Sequence, residues 1–326
     1  MSQSSNTHPT AQDLAAQLAS EIKGKVILTT GVSPGGLGDA FVRAIASVHP
    51  SLLILAGRNT TKTQATADAI VKAYPEVRVR TLQLDLESLD AVRGAAEEVI
   101  SWEDVPSIDA VVNNAGIMAV EFALTVDGYE RQFATNHLGP FLFTNLIMEK
   151  LLATEKPTIV NVSSDGHRLS PVRFADYNFN NGESYNKWTA YGQSKSANML
   201  FALSLAEKLG PKLNLHAFSL HPGVIMTNLG NHLDLETSFT ALRDLDKLLG
   251  NVEGFQEREF KDLDHGAATT VFAFDPKLKD HNGAYLQDCH VADPWKDTVL
   301  PWGTSTVSAA RLWKLSEQLV GQEFKY

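Results

Sequence analysis

Tyr191 and Lys195 stand four residues apart in Tyr-Gly-Gln-Ser-Lys, a spacing that sets a phenol and an ammonium one turn apart on a helix face. The next run, Ala-Asn-Met-Leu-Phe-Ala-Leu-Ser-Leu-Ala, carries apolar residues at helical spacing, so helix is the better reading than strand. A phenol with an unperturbed pKa of about 10 is a poor base at neutral pH. A nearby cation lowers that value and makes the group a usable proton donor and acceptor. Alone, the pair is weak evidence, and a solvated or core helix explains it more simply. The weight lies on what the other elements bring beside it.

The first such element is a strand over residues 25–30 that runs into Gly31-Val-Ser-Pro-Gly-Gly-Leu-Gly38 and then a helix over 39–48. Strand, glycine turn and helix in that order are the context of a nucleotide-binding loop. Glycine lets backbone approach a pyrophosphate, and the helix N-terminus attracts the anion. A tight turn is the bland reading of the same glycines. A second strand, 52–56, is apolar at every position, as a parallel strand covered on both faces should be. It ends at Gly57-Arg58-Asn59, with no Asp or Glu between residues 52 and 66. An acid here grips the ribose 2′-hydroxyl of NAD. A guanidinium instead suits a 2′-phosphate, so NADP(H) is the expected dinucleotide, a solvated surface Arg58 being the alternative.

A helix over 63–74 and a strand over 77–84 come next, with Asp85-Leu86 at the strand's C-terminal end, where ligands meet an open parallel sheet. A helix over 89–102 leads to a strand over 108–112 and to Asn113-Asn-Ala-Gly116, whose small and amide side chains suit close approach to a cofactor or simply a turn. Residues 130–152 read as one long helix containing Asn136, kinked at Pro140. The strand 158–162 is closed by Ser163-Ser164. Residues 165–189 form a long aromatic and polar loop of the kind that is usually functional. After the Tyr191 helix come a strand over 213–220, ending at His221-Pro-Gly223, and a charged, Leu- and Phe-containing stretch over 228–262. That stretch has the composition of a lid, with helix between 237 and 249. A helix over 264–274, a last strand over 282–286 and a last helix over 308–320 complete the chain. Strand and helix alternate almost throughout, which predicts an α/β doubly wound parallel sheet with helices on both faces. No repeat or linker splits it, so residues 11–326 read as a single domain.

With 326 residues, 44% of them hydrophobic, the chain is long enough for one large core. Its formal charge of -10 and lack of a basic stripe argue against nucleic acid as a partner. Cys289 is the only cysteine, so no internal disulfide forms and a reducing compartment is expected. Residues 1–10 are polar and read as a disordered tail without a signal-peptide core, while residues 11–22 read as an amphipathic helix. No run is long enough to span a bilayer, and a cytoplasmic enzyme is the default expectation. His137, His167 and His221 lack a metal-ligand spacing, so no metal is expected, and Cys289 reads as a small core residue. Ser163 and Ser164 lack a Gly-x-Ser-x-Gly elbow, which argues against a hydrolase.

Taken together, Thr30-Gly31…Gly36-Leu-Gly38, Asn113-Asn-Ala-Gly116, Asn136, Ser164, Tyr191…Lys195, His221-Pro-Gly223 and Thr227 resemble, in order and spacing, the short-chain dehydrogenase/reductase family. Asp127-Gly-Tyr-Glu-Arg-Gln-Phe133, Asn136-His-Leu-Gly139 and Tyr191-Gly-Gln-Ser-Lys-Ser-Ala-Asn198 look like its retinol-dehydrogenase-like branch. Two departures stand out. Four residues separate Gly31 from Gly36, where the family usually has three between its first two glycines, and the hydrophobic anchor of membrane-bound relatives is replaced here by a polar segment.

The resemblance implies a three-layer, Rossmann-type α/β/α fold and a carbonyl reductase or alcohol dehydrogenase chemistry. Tyr191 would pass the proton, Lys195 would lower its pKa and hold the nicotinamide ribose, Ser164 would hold the substrate oxygen, and Asn136 would position a water linking Lys195 to solvent. Ser163 is the rival for the serine role, on the other side of the strand end. The implied NADP(H)-binding set is Gly31, Ser33, Gly36, Leu37, Gly38, Arg58, Asp85, Leu86, Asn114, Ala115, Gly116, Tyr191, Lys195, Pro222, Gly223, Val224 and Thr227. A lipophilic or aromatic carbonyl or alcohol is the implied substrate. The family often pairs through the helices holding Asn136 and Tyr191, so a homodimer is possible unless the residues before Tyr191 cover that surface. The rival functions are a non-catalytic nucleotide sensor or scaffold and a relative that dehydrates or epimerises.

Overall fold

The computed structural model describes residues 8–250 and 260–326. Its centre is one eight-stranded sheet: β1 (Val26–Thr30), β2 (Leu52–Gly57), β3 (Arg78–Gln83), β4 (Ala110–Asn113), β5 (Thr158–Val162), β6 (His216–His221), β7 (Tyr285–Gln287) and β8 (His290–Val291). The order across the sheet is β3-β2-β1-β4-β5-β6-β7-β8, parallel except for the final β7-β8 pair. β2 is apolar at every position and β4, β5 and β6 are buried along their whole length because both faces are covered, whereas β3 at the sheet edge carries Arg78, Arg80 and Gln83. Successive side chains go to opposite faces. Leu52, Ile54 and Ala56 of β2 join one core with Leu28, Val111, Ile159 and Ala217, and Leu53 and Leu55 join the other with Ile27, Val112, Val160 and Phe218.

The helices on the second of these faces are α1 (Ala11–Gln17), α2 (Ala19–Ile22), α3 (Leu37–Ala46) and α4 (Thr60–Ala73), joined late in the chain by α11 (Leu263–Phe272). The first face carries α5 (Leu89–Ser101), α6 (Arg131–Phe133), α7 (Gly139–Leu146), α8 (Met148–Leu152) and α9 (Lys187–Leu213), with α12 (Thr306–Val320) behind α9. Between α9 and α11 in the chain comes α10 (Leu235–Leu248). This is the single-domain, three-layer α/β/α sandwich of Rossmann type that the alternation predicts. Local chemistry sets the helix starts: Asn59, Ser88, Asn186 and Asp262 each accept hydrogen bonds from first-turn amides.

Several expected boundaries move. Residues 11–22 are two short helices, and Thr10, assigned to the disordered tail, caps the first in a reciprocal pair with Asp13; residues 1–7 of that tail lie outside the described residues. The helix after the glycine loop starts at Leu37 rather than Asp39, with Gly36 as its cap. The strand expected over 213–220 is β6, because α9 continues through Pro211 to Leu213. The long helix over 130–152 is α6, a π-helical turn (Ala134–Leu138), α7 and α8. Pro140 sits at the start of α7, where its missing N–H cannot serve the carbonyl of Asn136, and the register widens just ahead of it. The sequence pattern does not predict β8. It is joined to β7 by Asp288 and Cys289, both at positive φ (47° and 59°), a two-residue hairpin turn that makes Cys289 a half-buried turn residue rather than a core one. The lid stretch holds α10, and its residues 251–259 lie outside the described residues.

Candidate active site

The strand order reverses about β1, which has β2 on one side and β4 on the other. A crevice therefore opens at the carboxyl ends of the strands, where open α/β sheets bind ligands. A cavity of about 820 Å³ occupies it, running from the end of β2 past β1 and β4 to the N-terminal part of α9, and is closed on the far side by α10.

Gly31 has φ 75°, and a Cβ there would lie 2.6 Å from the Ala115 Cα, so only glycine lets the β1 and β4 loops meet so closely. Thr30 binds the two loops by accepting the amides of Asn114 and Ala115 at 3.1 and 3.0 Å. Asn114 donates back to the carbonyls of Thr30 and Gly31. The lengthened glycine loop is held from behind: Asp39 accepts the Gly35 amide (3.0 Å) and the Arg43 Nε (2.6 Å), and Thr66 donates to the Val32 carbonyl. Gly36 caps α3 with no side-chain hydrogen bond, leaving the helix's first amides on the cavity side.

At the end of β2, Arg58 and Lys62 line the cavity. Glu87, from beyond β3, accepts Arg58 Nη1 at 2.7 Å and takes Arg131 through Nε and Nη2, both at 3.1 Å. An acid thus does reach Arg58, from a place that reading along β2 does not show, but it is shared by two guanidinium groups.

At the other end, Tyr191 is buried, and the Ser164 hydroxyl, which accepts the Gly166 amide at 3.0 Å, stands near enough to its phenol to oppose the rise in its pKa. Gly166 completes the corner: a Cβ there would be 2.7 Å from Tyr191 Cε1 and 3.3 Å from Ser164 Oγ. Burial pushes the phenol up to about 12, with the Ser164 hydrogen bond opposing it, and burial pulls the Lys195 ammonium down to about 8. The expectation that Lys195 lowers the Tyr191 pKa is therefore not met here, because desolvation is the larger effect. Lys195 Nζ donates to the Val162 carbonyl at 2.9 Å and lies 5.5 Å from the centre of the phenol ring. Ser163 turns its hydroxyl away, onto the Lys195 carbonyl at 2.8 Å.

Asn136, in the π-turn, is almost fully buried. Its amide accepts the Ile117 N–H at 2.8 Å and donates to the Ile117 carbonyl and Ser194 Oγ, both at 2.9 Å, which fixes the β4 loop against α9. Every other expected site residue lines the cavity except Gly38, whose absent Cβ would collide with Asn114 Nδ2 and the Gly31 carbonyl at 2.6 Å and which is there for packing. Reading the sequence missed Lys62, Glu87 and Met118, whereas the rest of the apolar wall, Trp188, Phe239 and Leu242, falls in the aromatic loop and the lid stretch it pointed to. Trp188 carried a signal, lying one turn before Tyr191 on the same helix face.

The short-chain dehydrogenase family model matches residues 25–237. The chain belongs to that family. It is 36% identical over 302 residues, covering 90% of this chain and 88% of the other, to short-chain dehydrogenase TIC 32 A, chloroplastic, of Brassica napus. Retinol dehydrogenase 14 of Homo sapiens is 33% identical over 314 residues, covering 91% and 87%. The crystal structure of an uncharacterised protein from Mycobacterium paratuberculosis superimposes with a TM-score of 0.72 at 30% identity, over 98% of this chain and 100% of that one. A retinol dehydrogenase and a chloroplast relative match at similar identity, so the likeness establishes the family and its general NAD(P)-dependent redox role rather than one branch of it. Among the described residues no helix is long and apolar enough to cross a membrane, and no cluster of His, Cys, Asp or Glu could hold a metal ion.

Proposed function

We propose that this protein is an NADP(H)-dependent oxidoreductase that interconverts a ketone or aldehyde with an alcohol on a lipophilic or aromatic small molecule. The observation that carries the proposal is that Tyr191, Ser164 and Lys195 line one cavity with the glycine loop, the Lys195 ammonium 5.5 Å from the centre of the phenol ring. The residues present fit a dinucleotide. Gly31 and Gly116 leave space that a Cβ would fill, since one at Gly116 would come within 3.0 Å of Asn136 Oδ1 and 3.6 Å of Lys195 Nζ. The open amides of α3 suit a pyrophosphate. Arg58 and Lys62 suit a 2′-phosphate, and the Glu87 carboxylate is already engaged by Arg131.

NADPH, when bound, supplies the hydride. Ser164 holds the carbonyl oxygen of the substrate, a neutral donor aimed where negative charge develops. Tyr191 gives its phenolic proton to that oxygen. Lys195 stabilises the phenolate left behind and has two further N–H donors, beyond the one on Val162, for the nicotinamide ribose. Asn136 presents a carbonyl that Pro140 cannot serve, which suits a water relaying the proton from solvent to Lys195. The apolar wall of Met118, Trp188, Phe239 and Leu242 favours a lipophilic substrate.

The test is NADPH oxidation over a panel of aromatic and long-chain carbonyls, with wild type and Tyr191→Phe. Turnover should fall by about 10²-fold or more in the variant while NADPH still binds. Wild-type rates in Tyr191→Phe would refute the mechanism, and a wild type that binds NADPH but reduces nothing would favour a nucleotide sensor. Turnover without net NADPH loss would favour a dehydratase or epimerase.

A further inference from the structure

Beside the phenol lies a buried ion cluster that the chemistry above does not use, whose pairs among the described residues join Arg168 to Asp165 and Asp246. Arg168 Nη1 meets Asp165 Oδ2 at 2.5 Å and its Nε meets Asp246 Oδ1 at 3.1 Å, with all three side chains 7% exposed or less. The two carboxylates belong to different parts of the molecule. Asp165 directly follows Ser164, and its amide donates to His221 Nδ1 at 3.1 Å. Asp246 is in the last turn of α10. That helix is two-faced: Ser238, Phe239, Leu242, Leu245 and Asp246 turn inward, while Glu236, Thr240, Asp244 and Lys247 are exposed. Leu242, Phe239 and Leu245 pack in one cluster with Leu169, Trp188 and Tyr191, so α10 is the apolar wall opposite the phenol. Apolar contacts are non-directional and let a helix slide. A guanidinium fork fixes both distance and direction.

We propose that Arg168 is a positioning residue for the substrate. By bridging Asp165 and Asp246 it locks the α10 wall in register with the Ser164 loop, so that the pocket keeps one width. The inference rests on the reading of this cavity as a substrate pocket, but the tether itself has its own readout. Removing the charge from one member leaves a buried ion short of a partner and loosens the link. Asp246→Asn keeps the shape and removes the charge, and Arg168→Lys keeps the charge and removes the fork; Arg168 lines the cavity and Asp246 does not.

In Asp246→Asn, amide exchange in α10 should speed up by about tenfold or more while exchange in β4 and β5 holds. KM for a bulky apolar carbonyl should rise by about tenfold, with kcat on a small carbonyl and NADPH affinity within about twofold. Arg168→Lys should lie between this variant and wild type. Unchanged α10 exchange in Asp246→Asn would overturn the tether. An equal loss on small and bulky substrates would overturn the positioning role. A wild type that reduces no carbonyl, together with faster α10 exchange in the variant, would leave the tether supported and bring down the reading of the pocket instead.

Discussion

The Lys195 ammonium is anchored to the carbonyl of Val162, 2.9 Å away at the end of β5, and not to the phenol of Tyr191. The two groups therefore interact through space in a dry corner, each pushed by burial toward its neutral form: Tyr191 up to about 12 and Lys195 down to about 8. Reduction needs the phenol protonated and the lysine charged. Both hold at neutral pH, and the lysine is the first to fail as the pH rises. The profile of kcat/KM for reduction should be level from about pH 6 to 7 and fall through a limb near 8 that belongs to Lys195. In Lys195→Arg the charge persists, so that limb should move beyond about pH 10 at a lower plateau. A limb unmoved by the substitution would assign it to another group.

Arg58 shares the carboxylate of Glu87 with Arg131 and is largely exposed. Its guanidinium is thus steered without being used up. Arg58→Ala should raise the NADPH dissociation constant by about tenfold, as expected for loss of a charged hydrogen bond at a partly solvated site, and leave NADH within about twofold. Titration with both dinucleotides checks this. Equal losses would remove Arg58 from the choice of cofactor.

Gly166 packs directly against the phenol ring. A methyl group there would stand 2.7 Å from Tyr191 Cε1 and 3.0 Å from Cδ1, and the ring, buried with Trp188 edge-on at 6.5 Å, has little room to retreat. Gly166→Ala should cut kcat by about 10²-fold through misplacement of the phenol, with NADPH affinity retained. Unaltered kcat would mean that the corner yields more readily than its packing implies.

The parts legible in the sequence were those with a local cause. Strands buried on both faces announce themselves by unbroken apolar runs, as in residues 52–56, and the Gly31 loop is marked by the strand before it and the helix after it. Tyr191 and Lys195 stood out by their spacing, but their roles came from the family resemblance that the other motifs completed. What escaped was set by contacts between distant segments. Glu87 reaches Arg58 across 29 positions, and Asp246 reaches Arg168 across 78, and neither pairing leaves a periodic trace. The π-turn at Asn136 was half legible, because Pro140 signals a break but not whether the helix kinks or widens. The sign of the Tyr191 shift was misread for the same reason: a cation four residues away is visible in the sequence, whereas the desolvation that outweighs it is a property of the packed fold.

His137 is fully buried among Phe133, Phe141 and Phe201, with Nε2 on Ser316 Oγ at 2.7 Å, and burial pulls its pKa down to about 3. An unfolded histidine titrates near 6.5. The unfolded chain thus binds the extra proton between those values, and stability present above pH 6.5 is lost as the pH falls toward 3. This one group should add a slope of about 1.4 kcal/mol per pH unit across that window. His137→Gln still offers Ser316 a partner and does not titrate, so urea unfolding from pH 4 to 7 (on the order of one experiment per half unit) should show a shallower dependence for the variant. Parallel curves would place the acid sensitivity elsewhere.

The helices through which the family often pairs are here covered by the chain's own C-terminal part. α12 packs along α9, with Trp313 edge-on to Phe141 at 5.1 Å, 6.2 Å from Phe201 and under Lys208 Nζ at 4.8 Å. The last residue completes the cover, its Tyr326 hydroxyl donating to Asn145 Oδ1 at 2.7 Å. The residues before Tyr191 that the sequence offered for this role pack there as well: Tyr177 stacks on Phe133, and the Gln193 amide of α9 accepts the Arg173 N–H and donates to the Tyr177 carbonyl. A second copy could reach that surface only by displacing a helix whose Ala309, Leu312, Trp313 and Val320 are buried, which costs several kcal/mol of apolar burial before any new contact forms. Light scattering of the full chain at micromolar concentration should give the monomer mass of 35.6 kDa. A mass of about twice that, lost on substituting residues of α7 or α9 rather than elsewhere, would show that pairing survives the cover.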